Sequence, residues 1–286
     1  MPPTTVGVID VGSTSVHLLV ADVSGHEVLA LADESVFLGL GERVEAAIHL
    51  GPELRATLSE TLVAYAARAG ELGAATVLVV ATEPLRRAAD AARAVSDLVS
   101  AGGPVVHVLS HEEEALLTLL GVTNGRLVRT DLTIVDIGGG STEIINVGPG
   151  RAVSISGLRV GAARLTAACV RADPPTAAEI GALRAEADLA LGAAPSTMAG
   201  ELIGVGGTAS NLLKVIAGAS ADAVLTHAGL EAALAVLRSE PAASAAARLG
   251  LNPVRARLLP AGAAIVGAVL RRYSADRMRV VETGIR

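Results

Sequence analysis

A chain of 286 residues exceeds a comfortable single hydrophobic core, so two domains are the natural expectation. Hydrophobic residues make up 51%, aromatic residues 1%, and the net charge is −6 with an isoelectric point of about 5.6. That balance excludes a basic nucleic-acid surface and leaves little ring area for stacking a base or a sugar. Lys214 is the only lysine and Cys169 the only cysteine, so positive charge is nearly all arginine, and neither an internal disulfide nor a cysteine-rich metal site is available.

The chain opens Met1-Pro2-Pro3 and enters a strand with neither a basic n-region nor an apolar h-region. The apolar stretch over 258–270 contains Pro260 and reads as shorter than the ~20 helical residues that span a bilayer. A cytoplasmic protein that meets neither membrane nor nucleic acid is expected. Strands over 6–10, 16–23 and 28–36, joined by Gly/Ser turns, read as an antiparallel meander. Pro52 then opens a helix to residue 69, 76–81 reads as a short buried strand, and a helix over 85–100, a strand over 105–109 and a helix over 112–120 follow. Three strands with such a βαβα tail predict a mixed sheet with helices outside.

After a polar connection over 122–131 the pattern starts again. Strands over 132–136, 142–147 and 151–156, helices over 161–169 and 176–192, a strand over 202–205 and a helix from Thr208 repeat it. The last third reads as helical and alanine-rich, with Pro253 and Pro260 as breakers and a short strand over 278–281. The fold class expected is therefore α/β, a duplicated unit with domains 1–121 and 122–286.

One turn is written twice. Val8-Ile9-Asp10-Val11-Gly12-Ser13 and Ile134-Val135-Asp136-Ile137-Gly138-Gly139-Gly140-Ser141 both run apolar strand, Asp, one hydrophobic residue, glycine. Glycine lets backbone N–H groups close on an anion, the hydroxyls add donors, and an Asp at a strand end, Asp10 or Asp136, can hold a hydrated metal ion. Two such turns facing each other would clamp phosphate. Gly206-Gly207-Thr208, after a strand and opening a helix, is a further phosphate contact point.

An Asp-x-Gly turn repeated in two ribonuclease-H-like halves, with a cleft between them, is the pattern of the actin, sugar-kinase and heat-shock ATPase superfamily. Within it, the sequence resembles the Ppx/GppA family of exopolyphosphatases and guanosine-pentaphosphate phosphatases. The resemblance rests on both turns and on Ala81-Thr82-Glu83-Pro84-Leu85-Arg86, Leu109-Ser110-His111-Glu112-Glu113-Glu114-Ala115, Gly206-Gly207-Thr208-Ala209-Ser210, Leu259-Pro260-Ala261-Gly262 and Glu282-Thr283-Gly284-Ile285-Arg286. It covers essentially the whole chain.

Ser110 and Glu113 form a capping box, which with the helix dipole accounts for Glu112 and Glu113. For Glu114 the resemblance implies the general base that deprotonates the attacking water, and for Asp136 and Glu143 that they help Glu114 hold Mg2+ or Mn2+. By spacing alone Glu143 reads equally as a solvent-facing strand residue. Gly12, Ser13, Thr14, Gly138, Gly139, Gly140 and Ser141 would cradle phosphate, and Arg86, disfavoured by the dipole at a helix start, would clamp it. His17 reads as a packed strand residue.

Three positions depart from the family pattern. Thr14 stands where asparagine is usual and His111 where glycine is usual, the latter either reshaping the loop or adding a donor. Asp90 replaces asparagine and would add negative charge near the site. The family's further helical segments are not expected beyond Arg286, so short chains suit the site better than long polymer, and a homodimer could cover apolar surface left at the end of the second domain. The implied substrate is inorganic polyphosphate, with guanosine pentaphosphate the alternative. A kinase or ATPase, or a sensor that binds without turnover, are the readings from other classes.

Overall fold

Ile9 and Val11, then Val16, Leu18 and Val20, are fully buried at every second position, the period of a sheet with one face on a core. The structure is a computed structural model that describes residues 2–195, 197, 200–216 and 223–281. Glu282-Thr283-Gly284-Ile285-Arg286 lies outside the described residues. The chain divides into two units, Met1–Glu114 and Ala115–Gly284.

The first unit runs β1 (Thr4–Val11), β2 (Ser15–Ser24), β3 (Glu27–Phe37), α1 (Leu40–Ala47), α2 (Pro52–Glu71), β4 (Thr76–Ala81), α3 (Glu83–Arg87), α4 (Ala91–Ser100), β5 (Val106–Val108) and the start of α5 (His111–Thr123). Its sheet has the order β3-β2-β1-β4-β5. β1, β2 and β3 form the expected antiparallel meander, and β4 and β5 add in parallel. Leu58, Leu62, Ala94 and Leu98, from α2 and α4, pack on its buried face.

The helix expected over 85–100 is two helices, because Ala88 is extended at ψ 124°. Asp90 explains the break. Its carboxylate accepts from the N–H groups of Leu50 and Gly51, at 2.8 and 3.0 Å, and from Arg55 Nη1 at 2.9 Å. These bonds tie the α3–α4 joint to the start of α2. Burial alone would raise the Asp90 carboxyl, but those donors outweigh it and hold it down at about 2. The charge expected to trouble a polyanion is thus balanced within this clasp.

The second unit runs β6 (Leu132–Ile137), β7 (Thr142–Val147), β8 (Ser154–Leu158), α6 (Ala162–Cys169), α7 (Ala177–Leu191), β9 (Glu201–Val205), α8 (Gly206–Val215), β10 (Val224–Thr226), α9 (His227–Leu237), α10 (Ala242–Leu249), α11 (Pro253–Arg272) and β11 (Arg277–Val280). Its order is β10-β11-β9-β6-β7-β8. From β8 to β11 it repeats the first sheet strand for strand, and β10 adds an antiparallel edge. Two mixed sheets flanked by helices are the duplicated α/β fold expected.

Pro260 does not break the chain as expected but lies inside α11. An interior proline costs about 3 kcal/mol, and the unbroken burial of Leu259 to Leu270 in the core of the second unit offsets it. Gly262 lets α11 close on α8, since a Cβ there would lie 2.4 Å from Thr208 Cγ2. The stretch expected to be too short for a bilayer is thus part of a 20-residue helix, apolar enough to cross one by length and composition, yet 72% of its apolar window is buried.

The duplication stops short at one face. Ala115, Leu119 and Val122 of α5 share an apolar cluster with Ile134, Ile145, Ile203 and Val205. By register the matching residues of the first sheet are Val8, Leu19, Leu78 and Val80, and they are more open: Leu78 is 46% exposed where Ile203 is 1%. Ile203→Ala is therefore expected to cost about 2 to 5 kcal/mol in urea unfolding, and Leu78→Ala under about 1 kcal/mol.

Asp90→Asn is expected to unfold at lower urea than the wild type at pH 7. Because the folded carboxyl sits at about 2, below its ordinary 3.8, its stabilising contribution is complete above about pH 4 and fades as the pH falls towards 2. The gap between the two proteins should narrow over that window.

Candidate active site

Both Asp-x-Gly turns close in the same way. Gly12 N donates to Ser15 O at 3.1 Å and Gly138 N to Ser141 O at 3.0 Å, and a Cβ on either glycine would lie 3.3 Å from that same oxygen. The first glycine of each turn is therefore used by the hairpin itself.

In the second unit the following helix captures the turn's carbonyls. Ala162 N donates to Gly138 O at 3.0 Å, Ala163 N and Arg164 N donate to Gly139 O at 2.9 and 3.0 Å, and Arg164 Nε donates to Gly140 O at 2.9 Å. In a trans peptide the C=O and the next N–H point opposite ways. The N–H groups of Gly139, Gly140 and Ser141 are thus turned away from α6. The first unit repeats the device: Gly41 N donates to Ser13 O at 2.7 Å, and Leu38 N and Gly39 N donate to Thr14 O at 3.2 and 3.1 Å. Ser13 Oγ, expected to add a donor to this turn, instead gives its proton to Glu83 Oε2 at 3.0 Å.

Arg86 and Glu114 meet in the first unit. Arg86 Nη1 lies 2.6 Å from Glu114 Oε2 and donates also to Leu109 O at 2.8 Å, the two side chains being 14% and 13% exposed. Arg86 Nη2 lies 3.3 Å from His111 Nδ1. Next to a guanidinium that nitrogen serves as the acceptor. His111 is the first residue of α5. The capping box forms as expected, with Glu113 N on Ser110 Oγ at 3.1 Å and Ser110 N on Glu113 Oε2 at 2.8 Å. Those bonds lower the Glu113 carboxyl. His111 and Glu114 offer ligand atoms within 4.8 Å of one another, a pair able to share a cation. Asp10 stands at the end of β1 opposite His17, whose Nε2 lies 2.8 Å from Ser15 Oγ.

In the second unit Glu143 is paired with Asp136 across the β6–β7 ladder and is 2% exposed. The solvent-facing alternative for Glu143 is thereby removed. Thr118 Oγ1 approaches Asp136 Oδ2 at 3.4 Å. Gly206 adopts φ +86°, and a Cβ there would lie 2.7 Å from Asp136 Oδ1, so glycine is needed both for the backbone and for the approach to the carboxylate. Gly207 lies beneath Arg255, whose Nη1 would be 3.4 Å from a Cβ.

Arg164, Arg255 and Glu83 were not singled out in the sequence. Each arginine sits in the first turn of a helix, where the dipole disfavours it. Arg86, expected in such a position, instead lies in the last turn of the short α3, where the dipole favours it. Glu83 at a helix start carries no such signal.

Two mixed sheets of matching order, each with an Asp-x-Gly turn opening on a helix-held peptide, define the actin-like ATPase type of fold. A profile of the Ppx/GppA phosphatase family matches residues 19–286, and the chain belongs to that family. It is 30% identical to "Exopolyphosphatase 2" of Mycobacterium tuberculosis over 100% of this chain and 97% of that protein. It is 29% identical to "Exopolyphosphatase 1" of Mycobacterium leprae over 98% and 86%. A solved Aquifex aeolicus member of the Ppx/GppA family matches with a TM-score of 0.81 and 24% identity over 100% and 95% of the two chains. An exopolyphosphatase from Cytophaga hutchinsonii gives 0.84 and 20% over 99% and 95%.

Gly161 tests the turn geometry, because a Cβ there would lie 2.5 Å from Gly139 C and O and 2.6 Å from Gly140 N, all backbone. Gly161→Ala should displace the turn and lower the melting temperature by an overpacking cost of about 1 to 3 kcal/mol. Gly181, within α7 and with open space around it, should gain stability when changed to Ala, by up to about 1 kcal/mol.

Proposed function

We propose that the chain is a phosphoanhydride hydrolase of the exopolyphosphatase type, releasing orthophosphate from the end of inorganic polyphosphate. The observation that carries this is the Arg86–Glu114 pair at the start of α5, a carboxylate held in one orientation by a charge-assisted bond. Its support is the full-length likeness to two mycobacterial exopolyphosphatases.

In this reading the peptide N–H groups of the two turns and of Gly206-Gly207-Thr208 receive the phosphate oxygens, with Arg255 beside the last. Glu114 accepts the proton of a water that attacks the terminal phosphorus. The bond to the bridging oxygen breaks, and the shortened chain leaves as the anion. Arg86 holds Glu114 and balances its charge, which in this reading is its main work.

Mg2+ or Mn2+ is the implied cofactor, and the donors suit it. Glu114, Glu143 and Asp136 supply hard carboxylate oxygens, Asp10 supplies one more, and a His111 nitrogen would favour Mn2+ over Mg2+. When bound, such an ion offsets charge on the phosphoryl oxygens and orients the nucleophilic water.

Guanosine pentaphosphate is the second reading. The chain has only one Phe and two Tyr, and Phe37 is the register partner of Ser15, beside the first turn. That ring is where a guanine could stack. A homodimer and a cytoplasmic location belong to the same proposal, the former checked by light scattering.

Glu114→Gln is expected to lower kcat for phosphate release from tripolyphosphate by about 10²- to 10⁴-fold while binding persists. Wild-type activity should require added Mg2+ or Mn2+. Full activity in the variant would remove Glu114 from the role of base.

A further inference from the structure

Ser13 Oγ donates to Glu83 Oε2 at 3.0 Å, and both residues are buried, 7% and 4% exposed. The other oxygen, Glu83 Oε1, accepts from Arg87 Nη1 at 2.8 Å, and that nitrogen also reaches Glu45 Oε2 at 2.7 Å. Arg87 Nη1 thus bridges two carboxylates, and the Glu83 carboxylate lies between that guanidinium and the turn. Ser13 is held in place from behind. Gly41 N donates to its carbonyl at 2.7 Å, and a Cβ on Gly41 would lie 2.7 Å from Ser13 Cβ.

A serine hydroxyl has one proton to give. Given to Glu83, it is not available to a phosphate, and Ser13 turns only lone pairs towards any second partner. Resting on the reading of this turn as a phosphate site, we propose that Glu83 is a positioning residue that withholds the Ser13 hydroxyl from the substrate. The turn then holds phosphate through peptide N–H groups and lets it go more readily than a turn with a free hydroxyl would.

Glu83→Gln tests this with a definite sign. A guanidinium only donates, so the new amide keeps its oxygen on Arg87 and turns Nε2 to Ser13 Oγ as a donor. The serine proton is released, and one negative charge is removed. KM for inorganic tripolyphosphate, assayed with Mg2+, should fall about fivefold without a matching rise in kcat, and calorimetric binding of the same compound should tighten equally. In the double variant with Ser13→Ala the part of the gain owed to the hydroxyl should disappear, leaving only what the removed charge contributes.

Glu83→Ala, in which Arg87 keeps Glu45, should tighten binding in the same direction, so a folding defect seen by melting in one variant leaves the other to be read. If Glu83 only braces the fold, either variant binds tripolyphosphate as the wild type does or more weakly, and the proposal is overturned. That outcome leaves the hydrolase reading intact if the wild type turns over. A wild type that neither binds nor hydrolyses tripolyphosphate overturns the phosphate reading of the turn, and this proposal with it.

Discussion

Everything at the two turns depends on where their carbonyls go. A peptide that offers its N–H to an anion must dispose of the C=O on its other side, and a buried carbonyl without a donor is costly. Here the backbone N–H groups of the following segment take it, Leu38, Gly39 and Gly41 in the first unit and Ala162, Ala163 and Arg164 in the second. This requires the helix start to lie directly against the turn, which explains the glycines at 41 and 161, each of which faces Ser13 or Gly139 where a methyl group would collide. It also requires the β1–β2 and β6–β7 ladders to keep the same register up to the turn, which they do. Sheet order, helix placement and glycine positions are thus consequences of one hydrogen-bonding problem solved twice.

The charged groups follow a second constraint. Glu83 and Glu143 are almost fully buried, and Arg86 and Glu114 nearly so. Removing a buried charge from water is expensive, and such groups persist where partners compensate or where function requires them. Glu83 has Arg87 and Ser13, and Glu114 has Arg86. Asp90 shows the same chemistry used purely for architecture: its carboxylate serves two amides and Arg55 at a helix joint.

Much of this was legible in the sequence, because an Asp-x-Gly turn between two apolar alternations fixes both the strand pair and its register. The first meander, α2 and the capping box at Ser110 lie where expected, whereas β8 starts at Ser154, later than the expected 151, and β4, expected to be buried, leaves Leu78 46% exposed. What could not be read depends on tertiary partners. Helix α1 is two turns long and bounded by left-handed Gly39 and Ile48, and it exists because Leu40 and Val44 are buried. β10 is three residues on the edge of β11. The break at Ala88 reflects what Asp90 bonds to forty residues earlier. Pro260 is tolerated because packing outweighs local propensity, and Glu143 could not be told from a surface residue by alternation alone, since β7 is buried on both faces. The role of Glu83 is not legible from its motif because its partner Ser13 is seventy residues away.

The central claim is that water attacks the terminal phosphorus. A single turnover of tripolyphosphate in 18O-labelled water, with Mg2+ and mass analysis of both products, tests it most directly. The account predicts one labelled oxygen in the orthophosphate released and none in the remaining pyrophosphate. Unlabelled orthophosphate with label in the pyrophosphate would place the attack on the neighbouring phosphorus and contradict it.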